Sequence, residues 1–229
     1  MKTIGLIGGM SWESTQEYYR LLNQGVCERL GGLHSAKILM YSVDFQELET
    51  LQHQNKWDEA IQMMVEIAQK LELAGAELMV IGSNTMHLTA DSVQKTISIP
   101  LVHIADATAE YLKKRGCNNA GLLGTKFTME KEFYRERMKQ LFDISILTPN
   151  NNDRDFVHKV IYDELCLGTI IPSSKQEYLR IIDDLIKSGA DSIIAGCTEV
   201  PLLIKKEDLP LPYADSTEIH VSKILDLAC

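Results

Sequence analysis

Residues 74–87 read AGAELMVIGSNTMH, and residues 188–201 read SGADSIIAGCTEVP. Both stretches contain a Gly-Ala-acid corner, an apolar run, and a glycine followed by a small polar residue. Ser83 in the first stretch corresponds to Cys197 in the second, at an offset of 114 residues (197 − 83). An apolar run that ends at such a polar residue is typical of a buried strand that leads to a ligand site.

Two further pairs of stretches repeat in the same order along the chain. GLIG at 5–8 matches GLLG at 121–124, at an offset of 116 residues (121 − 5), and IPLVHIADAT at 99–108 loosely matches LPLPYADST at 209–217. Two nearly constant offsets predict two α/β lobes of one design. If the lobes face each other, Ser83 and Cys197 reach one cleft from opposite sides.

The hydrophobic pattern predicts an α/β fold. Apolar runs alternate with longer amphipathic stretches, which indicates parallel sheets covered by helices on both faces. Strands are predicted over residues 3–8, 36–43, 77–82, 100–104, 119–124, 144–148 and 191–196. Helices are predicted over residues 14–29, 58–74, 128–140, 152–166 and 174–188. We expect residues 1–98 with 214–229 to form the first lobe and residues 99–213 the second.

Composition excludes several classes of function. The net charge of −9 and the absence of a long basic cluster argue against a nucleic-acid surface. The sequence contains no apolar run of the roughly 18 residues that a membrane span needs, and the N-terminal MKTIGLIGGMSW is a strand pattern, so we expect a cytoplasmic protein. The five cysteines include no CxxC pair, which predicts free thiols and no metal site.

Two groups at strand ends can act together on one carbon. Inversion of a carbon centre requires one group that removes a proton and another that supplies one from the opposite face. A thiol suits this work because its pKa of about 8.5 can be tuned. The segment after Cys197 is expected to begin a helix whose amides favour a thiolate. The hydroxyl of Ser83 is far less acidic and cannot mirror a thiolate without an activating base.

Further candidates surround these two positions. Asn84, Thr85, Thr125 and Thr198 follow predicted strands at matching places, where hydroxyl, amide and backbone N–H groups form an anion site, although each alone is also a helix cap. The loop IGGMSWEST (7–15) lacks the spacing of a nucleotide site, and Met10 is the residue we expect over the cleft.

The sequence allows two interpretations for each of three other side chains. His87 either orients the site or is a packed histidine. Cys166 either faces the cleft or belongs to the core. Glu199 either supports a neighbouring site residue or caps a helix.

Taken together, IGLIGGMSWEST near the start, SNTMH in the first lobe, LLGT at 122–125 and GCTE at 196–199 resemble the aspartate/glutamate racemase family, whose members use no pyridoxal phosphate. The resemblance covers nearly the whole chain. It implies two Rossmann-like or flavodoxin-like lobes related by a pseudo-twofold axis, an active site between them, no cofactor and a homodimer.

The resemblance also implies roles for individual residues. Two cysteines, one per lobe, alternate as base and acid in the family, and Cys197 stands where the second belongs. In related racemases that cysteine removes the α-proton of the L-enantiomer. Asn84, Thr85 and Thr198 match positions that hold the α-carboxylate and amino group, and Thr125 assists.

Ser83 departs from the family pattern, which has cysteine there. Serine is either natural, giving an enzyme that handles one enantiomer far better than the other, or an engineered replacement for cysteine. Alternatively, the chain catalyses another carbon-acid reaction with a single cysteine, such as decarboxylation or isomerisation, or only binds a dicarboxylate or amino acid.

The group that holds the side-chain carboxylate also departs from the family, whose aspartate binders use basic residues. The segment after the second strand offers Gln52, which we expect to make this contact. Because this amide is neutral, the sequence does not decide whether the substrate is aspartate, glutamate or a wider range of acidic molecules.

Overall fold

The computed structural model describes all 229 residues, Met1–Cys229. The chain divides into two compact units, Met1–His103 with His220–Cys229, and Ile104–Ile219. Each unit has its own parallel sheet and its own buried apolar clusters. This confirms the predicted α/β class with parallel sheets.

Seven strands alternate with helices along the chain. The strands are β1 (Ile4–Gly8), β2 (Ile38–Ser42), β3 (Leu78–Ile81), β4 (Asn119–Gly124), β5 (Ser145–Leu147), β6 (Ser192–Gly196) and β7 (Tyr213–Asp215). The helices are α1 (Trp12–Leu30), α2 (Phe45–His53), α3 (Trp57–Leu73), α4 (Ala90–Gln94), α5 (Ile104–Lys113), α6 (Lys126–Glu130), α7 (Glu132–Phe142), α8 (Asn151–Asp163), α9 (Pro172–Lys187), α10 (Val200–Leu203) and α11 (Ser216–Ala228). None of these helices combines the length and apolar character that crossing a bilayer requires.

The first unit has the strand order β2-β1-β3. Successive side chains of a strand point to opposite faces, so a sheet covered on both faces needs continuous apolar strands. Ile7 and Ile81 accordingly pack into one cluster with Met64 of α3. Leu6 and Val80 face the other way, into a second cluster completed by residues of α1 and α11.

The second unit repeats this arrangement with the order β5-β4-β6-β7. Gly121 pairs with Ile193 as Gly5 pairs with Met79, so the register between the central strands is the same in both units. The corners before β3 and β6 also agree, because Gly75 and Gly189 both have a φ of 101°, a backbone conformation that favours glycine. The sequence repeat is thus a repeat of strand pairing and of corner geometry.

Two predicted elements differ from the structure. The strand over 100–104 reduces to a single bridge from Leu101 to Met79, because Pro100 has no N–H to donate and α5 begins at Ile104. The helix over 128–140 is divided into α6 and α7 by the extended backbone of Lys131. The remaining predicted strands all form.

Candidate active site

The turn after β3 presents Ser83 as a half-buried side chain. The Ser83 hydroxyl oxygen accepts the Met86 N–H at 3.4 Å, and the ring Nδ1 of His87 lies 2.7 Å from the Ser83 carbonyl oxygen. Because a carbonyl only accepts, the His87 ring donates this hydrogen bond. The hydroxyl and the carbonyl of Ser83 are therefore both held by the turn that follows the strand.

Several predicted site residues lie around this turn within the first unit. Asn84 and Thr85 are buried at its start. Gln52, from the last turn of α2, is also buried and donates its amide to the Met86 sulfur at 3.1 Å. Met10 belongs to the same apolar cluster as Met86. The structure thus brings Gln52 to the Ser83 turn and places Met10 in the apolar cluster that Met86 joins, and the contact of both residues with a substrate stays a prediction.

A group of buried aromatic rings lies behind the Ser83 turn. The ring centroid of His87 is 4.6 Å from that of His103 and 5.5 Å from that of His220. His220 is held at Nδ1 by the Tyr18 hydroxyl at 2.9 Å and at Nε2 by the Val102 carbonyl at 2.8 Å. Burial lowers the pKa of His220 to about 3, so this imidazole stays neutral near pH 7.

Sequence reasoning did not find this histidine group as a unit. Its members come from the turn after β3, from the segment before α5 and from α11, and Tyr18 is 202 positions from His220 in the sequence. The available signal was the histidine in SNTMH, which the sequence leaves as either an orienting or a packed residue.

The turn after β6 carries Cys197, also half-buried. The Cys197 thiol donates to Oε2 of Glu199 at 2.8 Å, and the Thr198 hydroxyl donates to the same oxygen at 2.8 Å. The Glu199 side chain is buried, with 6% of its surface exposed. One buried carboxylate therefore accepts hydrogen bonds from two neighbouring residues of the GCTE motif.

Burial raises the pKa of the Cys197 thiol well above its ordinary value, and the negative charge of Glu199 raises it further. The backbone N–H of Glu199 lowers the pKa of the thiol, in the direction expected for amides at a helix start, but burial and the charge of Glu199 outweigh it. Helix α10 has only four residues, and a helix that short has little dipole to offer. In this site Cys197 is a protonated thiol with a hydrogen-bonded base beside it.

Thr125 and Cys166 lie near Cys197 in the second unit. Thr125 caps α6 by accepting the Thr128 N–H at 3.3 Å. Gly124 and Gly196 are paired strand residues, and a Cβ on Gly124 would lie only 2.8 Å from the Gly196 carbonyl oxygen. This close approach places Thr125 and Cys197 at adjacent strand ends. Cys166 is half-buried against the core of this unit and contributes to the raised pKa of Cys197.

No group of three or more histidine, cysteine, aspartate or glutamate side chains is arranged to hold a metal ion. The chemistry of the two turns is that of hydroxyl, amide, thiol and carboxylate groups. Such groups bind small polar molecules and transfer protons.

The sequence model of the Asp/Glu/hydantoin racemase family matches residues 7–224. The chain belongs to this family. Its fold is similar to that of a proposed Asp/Glu racemase from Yersinia pestis, with 50% identity, a TM-score of 0.94, and 100% of this chain and 99% of the other covered. An aspartate racemase homologue from Pyrococcus horikoshii OT3 is 35% identical with a TM-score of 0.87, over 100% and 99% of the two chains.

The chain is also similar in sequence to a named amino-acid racemase. The broad specificity amino-acid racemase RacX of Bacillus subtilis (strain 168) is 22% identical over 227 residues, which cover 93% of this chain and 92% of that protein. Family membership confirms the resemblance on which the residue roles rest. The roles of Ser83, Cys197 and the surrounding candidates stay predictions.

Proposed function

We propose that this protein is a cofactor-independent racemase of an acidic amino acid, with Cys197 as the residue that removes the α-proton. The observation that carries the proposal is the hydrogen bond from the Cys197 thiol to the buried carboxylate of Glu199. A thiol beside a base can become a thiolate when substrate binds, and a thiolate is the form that removes a proton.

The proposed reaction moves one proton at a time. Glu199 accepts the thiol proton, which leaves a Cys197 thiolate and a neutral carboxylic acid. The ammonium group of the bound amino acid favours this charge distribution because it brings a positive charge towards the thiolate. The thiolate then takes the α-proton, and the electron pair of the broken C–H bond stays on the substrate carbon. Return of a proton from the opposite face inverts the centre, and return from Cys197 restores it.

Residue 83 is the proposed partner on that opposite face. A serine hydroxyl can donate a proton to a carbanion but is a poor base near neutral pH, because no activating base contacts its oxygen in the hydrogen bonds described above. The proposed enzyme is therefore asymmetric. By the family resemblance, Cys197 serves the L-enantiomer, and exchange of the D-enantiomer through Ser83 is much slower.

The candidate binding residues supply the groups that an acidic amino acid needs. Asn84, Thr85, Thr125 and Thr198 offer hydroxyl and amide groups for the α-carboxylate and the amino group. Gln52 is the proposed contact for the second carboxylate, with Met10 and Cys166 completing the proposed site. An amide makes no ion pair, so we propose that the site accepts both aspartate and glutamate. The family resemblance also supports a homodimer, which light scattering tests.

Proton exchange in D₂O tests the function directly. L- and D-aspartate and L- and D-glutamate are incubated separately with the protein and with Ser83→Cys, and loss of the α-proton signal is followed by NMR. We expect exchange for at least one L-enantiomer with the unmodified protein. Absence of exchange for all four substrates with both proteins would overturn the proposal.

Ser83 favours a second candidate, a protein that binds an acidic amino acid without turning it over. Tight binding by calorimetry together with no isotope exchange would support this alternative. Detectable exchange excludes it.

A further inference from the structure

The backbone carbonyls of Ser83 and Cys197 have different hydrogen-bond partners. The Cys197 carbonyl accepts the Val200 backbone N–H at 3.2 Å. In the other turn the corresponding Met86 N–H goes to the Ser83 hydroxyl, and the His87 ring donates to the Ser83 carbonyl at 2.7 Å. The position equivalent to His87 is Pro201 (87 + 114), which has no side-chain donor. The histidine is thus particular to the residue 83 half of the site.

The His87 ring is held by its surroundings. It is buried, and it packs against the rings of His103 and His220. His220 is fixed in turn, since it donates from Nε2 to the Val102 carbonyl and accepts at Nδ1 from the Tyr18 hydroxyl. Rotation of the His87 ring would therefore disturb a set of packed, hydrogen-bonded neighbours.

We propose that His87 is a positioning residue for residue 83. Its hydrogen bond fixes the peptide group that leaves the Cα of residue 83, and this sets the direction of the side chain. The Ser83 side chain itself accepts a hydrogen bond from the Met86 N–H at 3.4 Å. This bond is long, and it depends on the serine oxygen. The inference rests on the proposed racemase function, because it assigns His87 to one of the two proton-transfer faces.

The experiment uses Ser83→Cys as the parent, because its residue 83 can act as a base and both half-reactions become measurable. His87→Asn keeps a donor near the position of Nδ1, His87→Gln moves the donor outwards, and His87→Leu removes it. His34→Leu, at an exposed histidine of the same unit, is the matched control. Exchange of the L- and D-enantiomers in D₂O is measured for each, together with the melting temperature.

We expect His87→Leu and His87→Gln to slow exchange of the D-enantiomer, which residue 83 serves, by about 10- to 100-fold, since small displacements of a reacting group have effects of this size. Exchange of the L-enantiomer through Cys197 should change little, and His87→Asn should restore most of the D-exchange. His34→Leu should match the parent for both enantiomers. If His87→Leu does not fold, the comparison of the Asn and Gln variants still decides, since both are polar.

Equal losses for both enantiomers, or no loss for either, would overturn the positioning role while the parent remains active. A parent that exchanges neither enantiomer would overturn the proposed function and this inference together. The exchange activity of the Ser83→Cys parent distinguishes these two failures.

Discussion

The turn after β3 and the turn after β6 occupy equivalent places in two units of the same topology, yet their side chains differ in chemistry. The Cys197 turn pairs a thiol with a buried carboxylate. The Ser83 turn has a hydroxyl that accepts a backbone N–H, and behind it the ring of His87 packs against His103 and the neutral His220. A repeated backbone thus carries two side chains of very different acid–base chemistry at equivalent strand ends. This difference is why the proposed mechanism gives proton removal to the second turn.

Removal of the thiol should have the largest effect on this comparison. Cys197→Ala leaves Glu199 in place but removes the proposed base, so exchange should fall by about 10²- to 10⁴-fold for every substrate. NMR in D₂O measures this, and Cys117→Ala, at a buried cysteine elsewhere in the second unit, is the control. Retained activity in Cys197→Ala would place the base elsewhere.

Replacement of the hydroxyl by a thiol should make the two turns more alike. Ser83→Cys should raise exchange of the slower enantiomer by about 10²-fold or more, because the new group can remove as well as donate a proton. Polarimetry should then show full racemisation from either enantiomer. Ser42→Cys, at an exposed serine at the end of β2, should leave the rates unchanged.

The histidine group should make the first unit sensitive to acid. The pKa of His220 is about 3 in the folded protein and about 6.5 when unfolded, so the unfolded chain binds the extra proton as the pH falls below 6.5. Protonation of His220 in the unfolded chain should by itself reduce the free energy of unfolding by about 2 kcal/mol between pH 7 and pH 5.

Urea unfolding at the two pH values measures this loss. His220→Gln has no titrating ring, so it should be less stable at pH 7 yet lose less stability on acidification. An unchanged pH dependence in that variant would contradict the assignment.

The carboxylate beside Cys197 should have the smallest of these effects. Glu199→Gln removes the charge that helps raise the pKa of the thiol, so that pKa should fall. The same change removes the acceptor of the thiol proton, and exchange should slow by about tenfold. Alkylation of Cys197 by iodoacetamide, followed by mass spectrometry across pH, measures the pKa. A pKa that rises or stays constant would contradict the role of Glu199.

The parts of the fold that follow from local pattern could be predicted from the sequence. β1, β3, β4 and β6 are continuous buried apolar runs, and each is predicted to within one or two residues. Helices α2, α5 and α11 and strand β7 are not predicted by the sequence pattern. The segment over 100–104 looks like a strand by composition, but Pro100 and the start of α5 allow only one bridged residue.

The site could be predicted less fully, because its chemistry depends on where side chains point. The motif GCTE identifies Cys197 and Glu199 as neighbours, and only the structure shows the carboxylate turned towards the thiol. Burial of the thiol, together with that contact, gives the thiol a raised pKa where the sequence predicts a lowered one. The histidine group depends on contacts between distant segments, which no local pattern encodes.

The ratio of L- to D-enantiomer exchange in the unmodified protein tests the central claim most directly. Each enantiomer of aspartate and of glutamate is incubated separately in D₂O, and the initial rate of α-proton loss is measured by NMR. We predict that the L-enantiomer exchanges faster by about 10²-fold or more, because Cys197 can become a base and Ser83 cannot. Equal rates for the two enantiomers would contradict the asymmetry of the two turns.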